Sequence, residues 1–474
     1  MRCRRSLKSA NSASRAGSTS EGGGQMTGFA RKGGALLPLS DEEIERIHNG
    51  ALAVLERTGL GIYDREMMER LESAGCPTEP SRHLVKLPRG LVAQALAQAP
   101  RTVTLCGRQP ESDLHLGDGR AYARTPGGAT RIFDWETGAP RDSTQDDVAR
   151  CVRLADALPN IHGISMCQVV PLDVPRERMD LCTTEIALAN TGKHLFYVCH
   201  NEEHVARVIE LAAARVGGPD ALRARPIISP LCESTSPLRL VAHQAQVLKS
   251  FARHGLPLRL HAHPIAGLTA PVTLAGELVM THAEVLGLVV VAQTLAPGLP
   301  VVYGMSSSVP DMKTALNLAG AVEIGLLGAA VAQLARRCGL PCSISSGIDA
   351  KMPSAQSVLE RLMTTLPPIL AGADLINLAT TDSKMTFSPE QLVLDDEVMR
   401  WIGRYVQGIQ IDDETLALDL IHQIGQTGIF TDQPHTARHF RRELLVDGLI
   451  RGARLDAQED LVARARAKLR ALAV

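Results

Sequence analysis

Residues 341–362, PCSISSGIDAKMPSAQSVLERL, begin like a buried strand and end like an amphipathic helix. Between the two lies a polar turn, residues 345–351, that carries an Asp and a Lys, and a proline at position 353 suits the start of a helix. A strand, a polar loop and a helix in this order form the repeating unit of an α/β fold. The stretch predicts that further units of this kind occur along the chain.

The same unit recurs from about residue 160 onwards. Short apolar runs rich in β-branched residues are each followed by a polar or Pro/Gly/Ser turn and a long helix-like segment. The strand candidates are residues 162–170, 194–199, 226–232, 258–263, 301–304, 342–345 and 375–379. Continuous apolar strands that alternate with helices indicate a parallel sheet covered on both faces. Seven such units without a dinucleotide-binding glycine motif favour an eight-stranded α/β barrel over a doubly wound sheet.

The eighth strand has a candidate before the first clear unit, in GRAYARTPGGATRIFDWETG, residues 119–138, part of which also suits a hairpin. We therefore expect the fold class α/β, with a (β/α)8 TIM-type barrel over residues 119–410. Helical additions are expected at both ends, over residues 35–118 and 411–474. A capping box at Ser40-Asp41-Glu42-Glu43 supports a helix that begins near residue 40.

Residues 1–34 differ in composition from the rest of the chain. They are basic and rich in Ser and Gly, and they lack the apolar segment of a secretory signal. We expect a disordered tail, and Met26 is an alternative start of the protein.

Charge and cysteine content exclude several classes of partner. The chain has 474 residues, with 50 Lys plus Arg against 51 Asp plus Glu, so it shows no electrostatic footprint for nucleic acid. The longest uninterrupted apolar run, residues 285–292, is shorter than the about 20 residues that a membrane-spanning helix needs. The ten cysteines form no CxxC pair, which is typical of reduced thiols in a cytoplasmic protein.

Polar side chains directly follow five successive strand candidates, in residues 232–237, 261–264, 303–308, 345–351 and 380–384. In an α/β barrel the carboxyl ends of the strands meet at one rim, and functional groups gather there. The pattern therefore predicts a polar pocket at this rim.

Two of these groups allow a structural and a functional interpretation. Asp349 either caps the following helix, with Lys351 paired to it in solvent, or contributes charge to the pocket. His261 and His263 are two residues apart and point to one face of their strand, where they form either half a metal site or a hydrogen-bonded pair.

The same choice applies to the cysteines at strand ends and to one tyrosine. Cys167, Cys199 and Cys232 end three successive strands, and they either bind zinc or pack as small buried residues. Tyr303 either lines a cation pocket or fills the rim.

Four stretches resemble the trimethylamine methyltransferase family. They are Asp-x-Lys-x-Pro-x-x-Gln at 349–356, HPIAGLTAPVTLAGELVMTHAEVLGLVVVAQTLAPGLPVVYG at 263–304, GIFTDQPHTARHFRRE at 428–443 and TGAPRDSTQDDVARCVRLADAL at 137–158. The resemblance extends over about residues 36–470. One motif departs from the family: it often contains Gly-His-Phe, whereas this chain has Gly428-Ile429-Phe430, although His435 and His439 remain.

The resemblance implies an α/β barrel that moves a methyl group from an amine to the Co(I) corrinoid of a small partner protein. The trimethylamine-using branch of the family carries pyrrolysine, and this chain contains only standard residues. It therefore resembles the branch without pyrrolysine, some members of which demethylate quaternary amines such as glycine betaine. A quaternary ammonium leaves as a neutral amine, so its demethylation needs positioning and desolvation rather than an acid.

We expect Asp349, Lys351 and His263 to act in catalysis. A pocket for a methylated cation uses carboxylates and aromatic faces. The candidates that bind the substrate are Glu233, Tyr303, Ser346, Tyr122 and Phe196.

The cobalamin-type corrinoid is expected on the partner, because the chain has no Asp-x-His-x-x-Gly corrinoid motif. We expect no resident metal and a homo-oligomer. The alternative functions are a metal-dependent TIM-barrel hydrolase built on His261 and His263, and a barrel that binds amines without catalysis.

Overall fold

A computed structural model describes residues 28–32, 35–314, 316–426, 428–445, 448–450 and 460–472. Residues 1–27, 33 and 34 lie outside the described residues, and with them most of the expected tail.

Eight parallel strands close into a barrel, and each pairs with the next in chain order. The last strand pairs with the first through Leu375 opposite Tyr122, which closes the sheet. The strands are β1 Arg120–Arg124, β2 Gly163–Ser165, β3 His194–Tyr197, β4 Ile228–Glu233, β5 Leu258–Ala262, β6 Val301–Met305, β7 Cys342–Ser346 and β8 Leu375–Leu378. The predicted barrel is confirmed, including the eighth strand within residues 119–138 and the hairpin beside it, where Arg131–Phe133 pairs with Pro140–Asp142.

One long helix follows each strand and covers the outside of the barrel. The helices are α1 Gln145–Ala157, α2 Met179–Asn190, α3 Val205–Val216, α4 Ala242–Arg253, α5 Leu274–Leu295, α6 Val322–Arg337, α7 Ala355–Ala371 and α8 Pro389–Val406. A short helix, Pro219–Ala224, lies between α3 and β4.

Helix α5 is long and apolar enough to cross a bilayer by length and composition alone. Within the fold, 72% of its apolar window is buried. It packs between the barrel and the amino-terminal addition, as expected for a core helix that is apolar on all sides.

The amino-terminal addition contains strands as well as the expected helices. Its helices are Asp41–Arg57, Arg65–Ser73 and Arg89–Gln98, and the predicted capping box at Ser40 is present. Leu60–Ile62, Thr78–Glu79 and Leu84–Val85 form a small sheet with Arg239–Leu240. A hairpin of Val103–Leu105 and Leu114–Leu116 covers the amino-terminal end of the barrel.

Residues 28–32, which fall within the segment expected to be disordered, belong to the described structure. Phe29–Ala30 forms a strand antiparallel to β1, and the Phe29 side chain is buried. Burial of an aromatic side chain supplies the free energy that orders this short segment.

The carboxyl-terminal addition is helical in its described part, with Asp413–Leu416, Leu418–Ile424, Pro434–Glu443 and Leu461–Ala471. The last of these helices packs on α8 through Arg466 with Glu390 and Lys468 with Asp396.

Candidate active site

The interior of the barrel is unusually cationic below the rim. Side chains alternate along a strand, so every second residue points inward. The guanidinium groups of Arg124 on β1 and Arg259 on β5 both lie over the Phe196 ring, 4.9 and 4.6 Å from its centroid. All three side chains are buried, and they lie in the barrel interior below the rim.

Arg259 is the most anomalous of these residues. None of its three guanidinium nitrogens has a hydrogen-bond partner among the described residues. Burial lowers the pKa of Arg259 to about 9, against the opposing charges of Cys232 and Glu233, so the group is still protonated at neutral pH. A buried charge without partners is costly, which points to an anion that completes the site.

His261 lies one layer above Arg259, because it follows two residues later on β5. Gly304 on the neighbouring strand makes room for the imidazole, since a Cβ at position 304 would lie 2.1 Å from a His261 ring carbon. His261 Nδ1 contacts Ser306 Oγ at 2.9 Å, and its Nε2 has no partner in the described residues. Burial, aided by the charge of Arg259, lowers the pKa of His261 well below its usual value, so the ring is neutral.

A polar network continues from His261 around the rim. Ser345 Oγ donates to Ser306 Oγ at 3.3 Å. With its amide oxygen turned towards β1, Asn377 accepts from Arg124 Nη2 and lies 3.2 Å from Ser345 Oγ. The network joins β6, β7, β8 and β1 and orients the inward polar groups.

Glu233 and His263 form the polar pair nearest the mouth. His263 Nδ1 lies 3.7 Å from Glu233 Oε2, and both side chains are partly exposed. Burial favours the neutral acid, but the contact with His263 and the positive charge of Lys384 outweigh it and hold the pKa of Glu233 at about 2. Glu233 Oε1 has no partner among the described residues, so an ionised oxygen is available to a ligand.

Lys384 reaches this site from a strained turn after β8. Asp382, Ser383 and Lys384 have φ values of +55°, +50° and +80°, which L-residues rarely adopt. Three consecutive residues of this kind persist only where their surroundings hold them. Burial lowers the pKa of Lys384, and the charge of Glu233 opposes that shift.

Asp349 and Lys351 hold the turn after β8 instead of facing the interior. Asp349 accepts from the backbone N–H groups of Ala319 and Gly320 and from Ser383 Oγ, each at 2.8 Å. Lys351 pairs with Asp382 and is largely exposed. Asp349 does not cap the following helix, because Ser354 is the N-cap of α7. Lys351 pairs with Asp382 and not with Asp349. The two side chains do not add charge to the barrel interior either.

Tyr303 and Ser346 do not reach the pocket, contrary to expectation. Tyr303 Oη lies 2.7 Å from His282 Nδ1 on α5, and Ser346 Oγ accepts from Arg361 on α7, so both point out of the barrel. Successive residues of a strand face opposite sides of the sheet, so Tyr303 and Ser346 face the helices while their neighbours Gly304 and Ser345 face the interior.

Tyr122 and Phe196 do point inward, but at or near the amino-terminal end. Tyr122 Oη accepts from the His115 N–H of the covering hairpin, and both rings belong to the apolar cluster beneath that hairpin. Tyr122 is therefore not placed to bind a ligand at the rim, and Phe196 supports the two arginines.

Arg124, Arg259, Asn377 and Lys384 were missed from the sequence as site residues. Leu258-Arg259-Leu260-His261 alternates apolar and polar residues, and that period of two is the signal that identifies Arg259 as inward-facing. Lys384 has no such signal, because its position depends on the turn conformation.

The metal-centred alternative lacks a ligand set in the described part of the chain. His261 lies on β5 and His263 directly follows its end, but among the described residues their ligand atoms do not form a close group of three with another His, Cys, Asp or Glu. Cys167, Cys199 and Cys232 form no such group either, and Cys167 and Cys232 are buried.

Comparison with known proteins identifies relatives over almost the whole chain. The model of the family described as trimethylamine methyltransferase (MTTB) matches residues 4–447. The trimethylamine methyltransferase MttB of Desulfitobacterium hafniense is 37% identical over 421 residues, which cover 88% of this chain and 85% of the relative. The glycine betaine methyltransferase of the same species, strain Y51, is 30% identical over 446 residues, which cover 92% of each chain.

The trimethylamine methyltransferase MttB of Methanosarcina barkeri is 33% identical over 446 residues, covering 90% of both chains. The crystal structure of the Methanosarcina barkeri monomethylamine methyltransferase (MtmB) aligns with a TM-score of 0.48 and 11% identity, over 95% of this chain and 96% of that chain. From the family match and the identities over most of its length, this chain belongs to the trimethylamine methyltransferase family.

Proposed function

We propose that the protein transfers a methyl group from a quaternary amine that also carries a carboxylate to the Co(I) corrinoid of a separate protein. The family membership supports methyl transfer. The observation that carries the substrate class is the unpartnered guanidinium of Arg259, fully buried beneath the ionised Glu233. A cation-binding carboxylate above an anion-binding guanidinium suits a zwitterion that has both charges.

The two charged ends of such a substrate have separate partners. Glu233 Oε1 faces the ammonium, and His263 and Lys384 keep the carboxylate ionised. Arg259 binds the substrate carboxylate from below, and Arg124 lies beside it over the same Phe196 ring. This arrangement directs the N-methyl groups to the mouth of the barrel.

For this reaction the protein has to position the substrate and exclude water, and it does not have to supply an acid. The acceptor supplies the electron pair of the new bond to the methyl carbon, and the electrons of the broken C–N bond stay on nitrogen. The nitrogen departs as a neutral tertiary amine, so no proton has to be delivered. Holding the reactants in line inside a dry site supplies the rate enhancement.

The rim offers an apolar surface for the corrinoid protein. Large apolar side chains stand exposed in the loops that follow four of the strands. They are Leu172 after β2, Leu268 and Val272 after β5, Met312 and Leu316 after β6, and Met352 after β7. Exposed apolar side chains gathered at one rim are typical of a protein interface. We place the docking surface of the partner here.

The carboxyl-terminal addition supports the expectation of a homo-oligomer. The helices Asp413–Leu416, Leu418–Ile424 and Pro434–Glu443 contain no buried residue, while Ile421, Ile429 and Leu444 stand exposed. Helices gain most of their stability from burying an apolar face, so we expect a second copy to cover this one.

We place the protein in the cytoplasm, in keeping with nine free cysteines in the described chain.

Replacement of Arg259 by Met tests the proposal. Loss of a buried charge partner costs about 2 kcal/mol or more, roughly thirtyfold in rate or affinity. We expect Arg259→Met to lose at least that factor in kcat/KM for glycine betaine and related carboxylates, measured by methylation of a reduced corrinoid. Activity with choline, which lacks the carboxylate, should not fall.

The control is Arg253→Met, which removes an exposed arginine on α4. Equal losses with glycine betaine and choline would contradict the role of Arg259. Absence of methyl transfer from any quaternary amine by the folded wild-type protein would contradict the function itself.

A further inference from the structure

A cluster of metal-binding residues lies outside the barrel, between the amino-terminal addition and the helices α5 and α6. His48 on Asp41–Arg57, His282 on α5 and Cys338 at the end of α6 each offer one ligand atom, and these atoms lie within 4.8 Å of one another. His48 Nδ1 and His282 Nε2 are 2.8 Å apart. All three side chains are at least nine-tenths buried.

The second ring nitrogen of His282 has its own partner. His282 Nδ1 lies 2.7 Å from the hydroxyl oxygen of Tyr303, which points out of β6. If Nδ1 carries the proton and donates to Tyr303, the His282 Nε2 lone pair points towards His48, and both nitrogens can bind a metal when His48 carries its proton on Nε2. Such a contact behind a histidine fixes the tautomer and ring orientation that metal binding needs.

A pocket gives access to the cluster from the surface. Its volume is about 340 Å³, and His48, Cys338, Leu52 and Arg89 are among the residues that line it. Two ligand residues thus face an open space, which supplies an entry path and room for a fourth ligand.

The charges around the pocket do not exclude a cation. Three arginines, Arg89, Arg101 and Arg337, line the pocket. Two of them have an acidic partner, because Arg337 contacts Glu45 at 2.8 and 2.9 Å and Arg89 pairs with Glu56 at 3.1 Å. Cys338 is the C-cap residue of α6, where the helix dipole favours positive charge.

We propose that His48 Nδ1, His282 Nε2 and Cys338 Sγ bind one divalent transition-metal ion of the zinc type, with the fourth position open to the pocket. Nitrogen and thiolate ligands with a tetrahedral preference are typical of zinc. The ion joins the amino-terminal helix to α5 and α6 and is distinct from the catalytic pocket. The inference is independent of the proposed function.

The two imidazoles need a small adjustment to reach tetrahedral binding, and Cys338 Sγ has to approach the two nitrogens from a separation of up to 4.8 Å. Zinc–nitrogen bonds of about 2.0–2.1 Å place two nitrogen ligands about 3.3 Å apart, so the two imidazoles separate by about 0.5 Å. Burial raises the pKa of Cys338 to about 12. The thiol is therefore protonated before binding, and one proton leaves when the sulfur–metal bond forms.

Co²⁺ is the probe for this site, because a cobalt–thiolate bond gives a charge-transfer absorption. The full-length protein is freed of metal with a chelator and titrated with Co²⁺. We expect one Co²⁺ per chain, a thiolate charge-transfer band, displacement by Zn²⁺ and release of one proton, measured by calorimetry in buffers of different ionisation enthalpy. Added Zn²⁺ should raise the thermal unfolding temperature.

Variants assign the ligands. Cys338→Ser should abolish the charge-transfer band, and Tyr303→Phe, which keeps all three ligands, should weaken binding about 10- to 100-fold. Cys76→Ser, a buried cysteine elsewhere in the addition, is the control and should bind as the wild type does. Circular dichroism of the metal-free variants establishes that each is folded.

Two results would overturn the proposal. One is binding of less than half an equivalent of Co²⁺ by the folded wild-type protein. The other is an unchanged charge-transfer band in folded Cys338→Ser.

Discussion

Asp349, in the loop after β7, accepts hydrogen bonds from the loops after β6 and β8. Replacing it with Asn distinguishes this role from that of a helix cap. Asn caps a helix as well as Asp does. At this position, however, an amide NH2 would face a backbone N–H of Ala319 or Gly320, because both carboxylate oxygens accept. We expect Asp349→Asn to lower the free energy of unfolding by about 1–3 kcal/mol, since it leaves a donor without an acceptor. Urea unfolding measures the loss.

Asp311→Asn is the matched control for Asp349. Asp311 also accepts from a backbone N–H in the loop after β6, but it is partly exposed and the contact is open to water. Its replacement should cost less than about 0.5 kcal/mol, as for most surface substitutions. Equal costs at the two positions would show that Asp349 is an ordinary loop residue.

Glu233 gives the site a defined pH dependence. Its folded pKa of about 2 lies below the ordinary value of 4.5, so it contributes stability that is present above pH 4.5 and lost as the pH falls from 4.5 towards 2. Over the same range the carboxylate keeps its charge for a bound ammonium. We therefore expect the affinity for a quaternary amine to change little between pH 6 and 4, measured by calorimetry on folded protein.

His263→Gln removes the imidazole that lies 3.7 Å from Glu233 and helps to hold its pKa low. Burial then acts with less opposition, and the pKa of Glu233 should rise. We expect the affinity of this variant to fall as the pH is lowered from 6 to 4. An affinity that stays constant in both proteins would exclude Glu233 as the group that meets the ammonium.

Helices α7 and α8 are tied together by a buried ion pair. Arg361 Nε and Nη2 donate to the two oxygens of Asp395 at 2.9 and 3.1 Å, and Nη1 donates to Ser346 Oγ at 2.7 Å. Removing one partner leaves a buried charge, which costs about 3–5 kcal/mol. We expect Arg361→Met to lose this amount in urea unfolding, and Arg361→Met with Asp395→Leu to recover most of it.

Arg337→Met is the control for the buried Arg361–Asp395 pair. Arg337 makes a similar two-contact pair with Glu45, but Glu45 is more than half exposed. Exposed pairs contribute about 0–1 kcal/mol, so this variant should be nearly as stable as the wild type. A double variant no more stable than Arg361→Met alone would contradict the charge argument.

At the scale of the whole molecule, the short strand Phe29–Ala30 pairs with β1 on the outside of the barrel and precedes the amino-terminal addition. Phe29 packs against α8, where a Cβ at Gly403 would lie 2.2 Å from its ring, and against the edge of the His162 ring. Phe→Ala replacements in a core cost about 3–5 kcal/mol. We expect Phe29→Ala to lose stability in this range, whereas Leu37→Ala, at an exposed position, should lose little. Thermal and urea unfolding of the three proteins provide the comparison.

The barrel was predictable because its signal is local and repeated. Each apolar run of four to nine residues identifies a strand, and each polar turn identifies its carboxyl end. Seven such units, with the candidate eighth strand in residues 119–138, leave few alternatives to a closed parallel barrel. The convergence of Glu233 and His263 followed from the same rule. Asp349 also lies at the predicted rim, but its contacts with Ala319 and Ser383 depend on two distant loops.

The direction of each side chain could not be assigned from composition alone. The strand ends are known from sequence only to within a residue or two, and a shift of one residue moves a side chain from the interior to the helices. Tyr303 and Ser346 were therefore placed inside the barrel, although they contact His282 and Arg361 on the outside. The amino acid sequence thus specifies the barrel and its polar rim, through periods of apolar and polar residues. Which charges face the substrate depends on strand register and on the turn at Lys384, because both arise from contacts between segments far apart in the chain.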